Sequence, residues 1–167
     1  TIAELSDGSI VMVMRGSNDR KTDLPAHKWI SRSVDGGHTW TKAEPWSYTD
    51  GTRFHSPSAC SQLVPYSDGR LFWVGNICQG NASGNSPRYP IVIGDVDLGT
   101  GLLQKETVAV IDDRQENESE HLTLSNFYVR EERESGELLL HMSRLFADDH
   151  RIGGEIDWTA SAMLYRI

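Results

Sequence analysis

Apolar and polar residues alternate along this chain in short runs, and the runs come in pairs joined by a glycine turn. Ile2–Leu5 and Ile10–Met14 flank Asp7-Gly8, Ala59–Ser67 and Leu71–Gly75 flank Asp68-Gly69, and Leu124–Arg130 and Leu138–Met142 flank Ser135-Gly136. A period of two predicts strands, and Asp-Gly or Ser-Gly supplies the positive φ of a tight hairpin. A third run follows each pair, at Lys28–Ser33, Arg88–Val96 and Ser161–Ile167. A fourth follows in the first two units, at Thr39–Trp46 and Gln104–Ile111. Helical periodicity is nearly absent.

The three units repeat, with turn glycines 61 residues apart (8 to 69) and then 67 apart (69 to 136). Four antiparallel strands per unit at such a period predict an all-β fold, a partial β-propeller of about three four-stranded blades. The blades are expected at 1–52, 53–113 and 114–167. The period exceeds the roughly 40–50 residues of common propeller repeats. The extra length is expected in the loops Gly16–His27, Asn76–Pro87 and Asp113–Glu120, where ligand-binding residues tend to gather. The third unit stops before a fourth strand, and three blades alone would leave two apolar faces bare. The expectation is therefore that N-terminal blades missing from this chain, or a second chain, complete the propeller.

Composition narrows the function classes. Hydrophobic content of 38% with 24% charged residues is that of a soluble globular chain. A net charge of −8 argues against a nucleic-acid partner, and no apolar run reaches the roughly 20 residues that cross a bilayer. Neither fact opposes a small anionic ligand, because a local arginine cluster outweighs a distant negative surface. No cofactor is implied. The acidic pairs Asp112-Asp113 and Asp148-Asp149 lack the spacing of an oxygen-ligand loop, so no metal is expected. Cys60 and Cys78 lie on the two arms of one hairpin. Pairing Ser67 with Arg70 puts their sulfurs on opposite faces, which predicts two free thiols. The sequons at Asn81 and Asn117 carry meaning only in a eukaryotic secretory route. A secreted or periplasmic setting is expected ahead of a cytoplasmic one, although the cysteines do not decide it.

One motif is specific. Ser33-Val34-Asp35-Gly36-Gly37-His38-Thr39-Trp40 fits S-x-D-x-G-x-T-W. Asp35 can accept backbone N–H groups across the turn, the glycines permit its tight geometry, and Trp40 can wedge between blades. Gly94–Gly101 occupies the same place in the second unit without the tryptophan. The motif resembles the Asp box of sialidases and related BNR-repeat propellers, and the likeness in strand and turn order extends over nearly the whole chain. In that family the boxes sit on the rim away from the catalytic face.

The resemblance implies a sialidase-like glycoside hydrolase that binds a terminal acidic sugar through an arginine cluster. Arg15 matches one member of the family's arginine triad and Arg88 another. Arg144 closes a second strand as Arg15 does, so the internal repeat points it at the same mouth. Arg53, His55 and Asn76 are further candidates near that end. A guanidinium holds a carboxylate through two parallel hydrogen bonds, which suits a sugar acid. The family's nucleophilic tyrosine, an exception to the two-carboxylate scheme, falls at Phe127 or just before it. It is absent, or displaced to Tyr128 by a bulge. Glu120 and His121 are the remaining acid/base candidates. Two alternatives stay open on the same scaffold: a non-catalytic carbohydrate-binding protein, and a polysaccharide lyase. This chain by itself is expected to be catalytically incomplete.

Overall fold

The computed structural model describes residues 1–148, 151–152, 154–156 and 160–167. Strands account for almost all of its regular structure. The first sheet has the order β1 (Ile2–Glu4), β2 (Ile10–Arg15), β3 (Lys28–Ser33), β4 (Glu44–Pro45). The second has β5 (Gln62–Pro65), β6 (Leu71–Asn76), β7 (Ile91–Asp95), β8 (Ala109–Asp112). The third places β10 (Leu138–Leu145) between β9 (Thr123–Glu131) and β13 (Ala160–Arg166). A small hairpin, β11 (Arg151–Ile152) with β12 (Glu155–Ile156), lies in the connection from β10 to β13. All named pairings are antiparallel. The chain is a partial β-propeller.

Three expectations need correction. The fourth strand of the first sheet is two residues long, because Ser33–Trp40 closes on itself as a hydrogen-bonded turn. In the second sheet, Lys105–Thr107 form a single 3₁₀ turn before the fourth strand. The Asp68-Gly69 hairpin pairs Tyr66 with Arg70 through a three-residue loop in which Gly69 has φ 94°. That moves the register by one, so opposite faces no longer explain the thiols. Both cysteines are free. Cys60 Sγ accepts from the Asn126 amide in the third sheet, whereas Cys78 Sγ turns to the Pro87 carbonyl in its own sheet.

Two apolar seams join the three sheets. Val11, Val13, Trp46, Leu63, Trp73 and Leu103 fill the first. Trp46 and Trp73 are fully buried there, edge to face at 5.2 Å. Trp46, with Nε1 donating to the Gly101 carbonyl, is the inter-sheet wedge expected of Trp40. Trp40 remains half-buried over its own turn, donating to the Gly37 carbonyl. Val74, Ile91, Leu124, Val129, Leu140 and Met142 fill the second seam. Burying such side chains contributes roughly 1.5–3 kcal/mol each, so the seams supply most of the cohesion between sheets.

Candidate functional site

Antiparallel connectivity gives each sheet two ends. The hairpin turns at Gly8, Gly69 and Gly136 mark one. At the other, the mouth, β2 ends at Arg15 directly across from Lys28, β6 ends at Asn76, Arg88 stands just ahead of β7, and β9 begins. Bonds across the seams join like ends. At the mouth Lys28 Nζ donates to the Pro57 and Ala59 carbonyls, and Asn76 Nδ2 donates to the Leu124 carbonyl. At the turns Arg32 donates to the Gly99 carbonyl and Tyr66 to that of Gly136. Arg15 and Arg88 therefore share one end of the molecule.

Arg15 is exposed, and among the described residues its guanidinium makes no hydrogen bond or ion pair. It borders a groove with Thr1, Met12, Cys60 and Ser61. Beside it Lys28 is wholly buried, with no carboxylate partner among the described residues; its ammonium rests on two carbonyls, at 3.1 and 2.6 Å. Desolvation brings its pKa down to about 8, and the charge of Arg15 pushes the same way. His27 is also pulled down, first by burial and then by Arg53 and His55, against a hydrogen bond to the Phe54 backbone. Arg53 is exposed and His55 half-buried. Among the described residues, Arg15, Lys28 and Arg53 in this corner form no ion pair.

Arg144 differs. Its side chain is 14% exposed and is bonded to Asp112 and Glu118, with a further bond to the Asp113 carbonyl at 3.2 Å. Tyr165 donates to the same Asp112 carboxylate at 2.5 Å. Glu118 is accordingly held below the usual carboxylate range, chiefly by hydrogen bonds from Arg144. This guanidinium has no free fork for a ligand, contrary to the expectation from the internal repeat. Asn76 also departs from the expected open sugar contact. It is fully buried, and its amide spans the Pro90 and Leu124 carbonyls at 3.0 and 3.1 Å. Arg88 is half-buried with Nε donating to the Asn85 carbonyl.

The acid, base and nucleophile candidates do not converge on Arg15. Glu120 and His121 are exposed on the loop between β8 and β9. A bulge does lie where Tyr128 would need one: Ser125 pairs with Ser143, Tyr128 pairs with His141, and Asn126 has φ 57°. The bulge turns Phe127, not Tyr128, toward the second seam. Tyr128 is 60% exposed, and its hydroxyl has no hydrogen-bond partner among the described residues. Among the described residues, no cluster of three or more His, Cys, Asp or Glu could hold a metal; of the second acidic pair, Asp149 lies outside them.

Sequence reasoning missed Lys28 and His27. Lys28 lies in phase with Ile30 in an alternating run, which is the pattern of a residue sharing a buried face.

Solved structures place this architecture among known ones. The leech intramolecular trans-sialidase, in complex with 2,7-anhydro-Neu5Ac, matches 98% of the chain at 19% identity and a TM-score of 0.55. The intramolecular trans-sialidase from Ruminococcus gnavus matches 86% at 20% and 0.52. A family 43 glycoside hydrolase from Bacillus licheniformis matches 99% at 17% and 0.55. The fold is that of these propeller enzymes. The chain spans 22%, 27% and 35% of their respective lengths, about a quarter to a third of each. No protein-family profile matches it, and no curated protein matches it in sequence.

Proposed function

We propose that this chain is part of a sialidase-like glycoside hydrolase and contributes to an acidic-sugar site in which Arg15 receives the carboxylate. The reading rests on one observation: Arg15 is an exposed guanidinium at the mouth with no partner among the described residues, next to a buried ammonium that has no carboxylate partner among them either. A cation pair left unneutralised in a chain of net charge −8 favours an anion from outside. Arg53 and Arg88 stand at the same end as secondary contacts, while Arg144 serves the framework.

The second reading is a carbohydrate-binding propeller without hydrolysis. The exposed position of Tyr128, with Phe127 turned into the seam, favours it. Titration of the chain with N-acetylneuraminic acid tests both readings. Arg15→Ala is expected to weaken binding roughly ten- to a hundredfold, the loss of one charge-assisted contact of about 1.5–3 kcal/mol. Binding that ignores this substitution would sink the carboxylate clamp. A fluorogenic sialoside assay on the parent protein then separates hydrolase from binder. A solution mass measurement separates a propeller completed by further blades of the same protein from one completed by a second chain.

A further inference from the structure

The carboxylate site at Arg15 has a second cation behind it whose charge the chain can withdraw. Lys28 stands directly across from Arg15 on the paired strands β2 and β3, so the two side chains share one face at the mouth. Arg15 is exposed, while Lys28 is wholly buried and forms no ion pair among the described residues. We infer that Lys28 is a pH-dependent switch for that site: with its proton on, it strengthens the hold on a carboxylate at Arg15, and the bound carboxylate in turn keeps the proton on Lys28. The inference rests on the acidic-sugar reading above and adds to it a regulator buried beneath the ligand.

Three observations carry it. First, the charge is within reach. Directly opposed residues of an antiparallel pair stand about 4.5–5.5 Å apart at Cα. At an effective dielectric of about 20, a unit charge that close to an anion site changes its affinity by roughly tenfold. Burial of the ammonium limits screening by salt.

Second, the proton can leave without breaking the structure. Lys28 Nζ donates to the Pro57 and Ala59 carbonyls, and these bonds tie β3 to the segment that leads into the second sheet. An ammonium has three N–H donors. The neutral amine keeps two, one for each carbonyl. Deprotonation therefore removes the charge and spares the tether.

Third, the surroundings lower the pH at which that proton leaves. Burial is the main cause that brings the lysine down to about 8, and the charge of Arg15 adds to it. Among the described residues, the charged or titratable groups that face it are Arg15 on β2, the Thr1 ammonium ahead of β1, and the Cys60 and Cys78 thiols of the second sheet. Burial pushes Cys78 up to about 11, so it stays a neutral thiol while Lys28 titrates. A carboxylate at Arg15 supplies the anion this group lacks. Linkage makes the effect reciprocal: the factor by which the proton strengthens sugar binding is the factor by which the sugar strengthens proton binding.

The test follows the Lys28 ¹³Cε NMR resonance of the intact chain against pH, with and without saturating N-acetylneuraminic acid. The midpoint is expected to rise from about 8 to about 9 when the sugar is bound. Calorimetry on the same chain should show the affinity falling about tenfold from roughly pH 7 to pH 10. Lys28→Met should bind with the weaker affinity at both ends of that range. The resonance is read on the unmodified chain, so a variant that fails to fold leaves the test intact. Cys60→Ser should keep the sugar-induced rise; its loss there would assign the coupling to the thiol and overturn the switch. If the sugar binds in an Arg15-dependent way but the Lys28 midpoint stays where it was, the switch is refuted and the carboxylate site stands. If the sugar does not bind at all, both proposals fall.

Discussion

Arg15 and Arg144 end equivalent strands in two sheets of one repeat, at the same end of the molecule, yet one is free and the other is consumed. The loop after β8 brings Asp112 and Glu118 against Arg144, so its charge is cancelled inside the protein. Arg15 instead lies directly across its own sheet from Lys28, which adds a second positive charge and donates only to the Pro57 and Ala59 carbonyls. The residues packed around each guanidinium decide whether its charge is cancelled within the protein.

The largest break in this comparison is expected from Arg144→Ala. Removing one partner strands two half-buried carboxylates, and chemical denaturation should show a loss of about 3–5 kcal/mol. Adding Asp112→Asn and Glu118→Gln should restore part of it. Arg15→Ala, by contrast, should change unfolding free energy by no more than about 0.5 kcal/mol, because among the described residues its exposed guanidinium has no hydrogen bond or ion pair to lose. Equal losses at the two sites would erase the distinction.

Lys28 comes next. Its pKa falls from an ordinary 10.5 to about 8, so between those values the unfolded chain binds a proton that the folded chain does not. Stability contributed by this site therefore rises with pH across that window, and the penalty is fully present below about pH 8. Cys78, pushed by burial from 9.0 up to about 11, acts in the opposite sense over its own window. The difference between the wild type and Lys28→Met isolates the lysine. It should grow in favour of the wild type by something on the order of 3 kcal/mol from pH 8 to 10.5, and a flat difference would show that Lys28 is hydrated.

The smallest effect is expected at the hairpin end. Asp35 accepts from Ser33 Oγ, Thr39 N and Thr39 Oγ1, and these bonds hold its pKa down to about 2. Asp35→Ala should lower the melting temperature at neutral pH. The deficit should shrink as the pH falls through about 2, where the wild-type carboxyl is protonated as well. Sugar binding at the mouth should be untouched, which sharpens the separation between the two ends.

Much of this was legible in the chain. Lys28–Ser33 was bounded to the residue, and the hairpin glycines and the long loops were marked by turn chemistry. The limits of legibility also have causes. Tyr66 pairs with Arg70 instead of Ser67 with Arg70 because a three-residue loop was geometrically as available as a two-residue one. The bulge at Asn126 decided whether Phe127 or Tyr128 faces the seam, and alternation cannot report a bulge in advance. Trp46 took the wedge position from Trp40 because the turn after Asp35 retains the latter's ring.

The sequence by itself determined the strands, their hairpins, the all-β repeat and the end of each sheet at which each arginine would emerge, because these follow from local alternation and turn geometry. Only the tertiary structure decided which charges were cancelled and which amides were buried. Those outcomes depend on residues dozens of positions apart meeting across a seam, where the loss of water makes each unpaired or paired charge count.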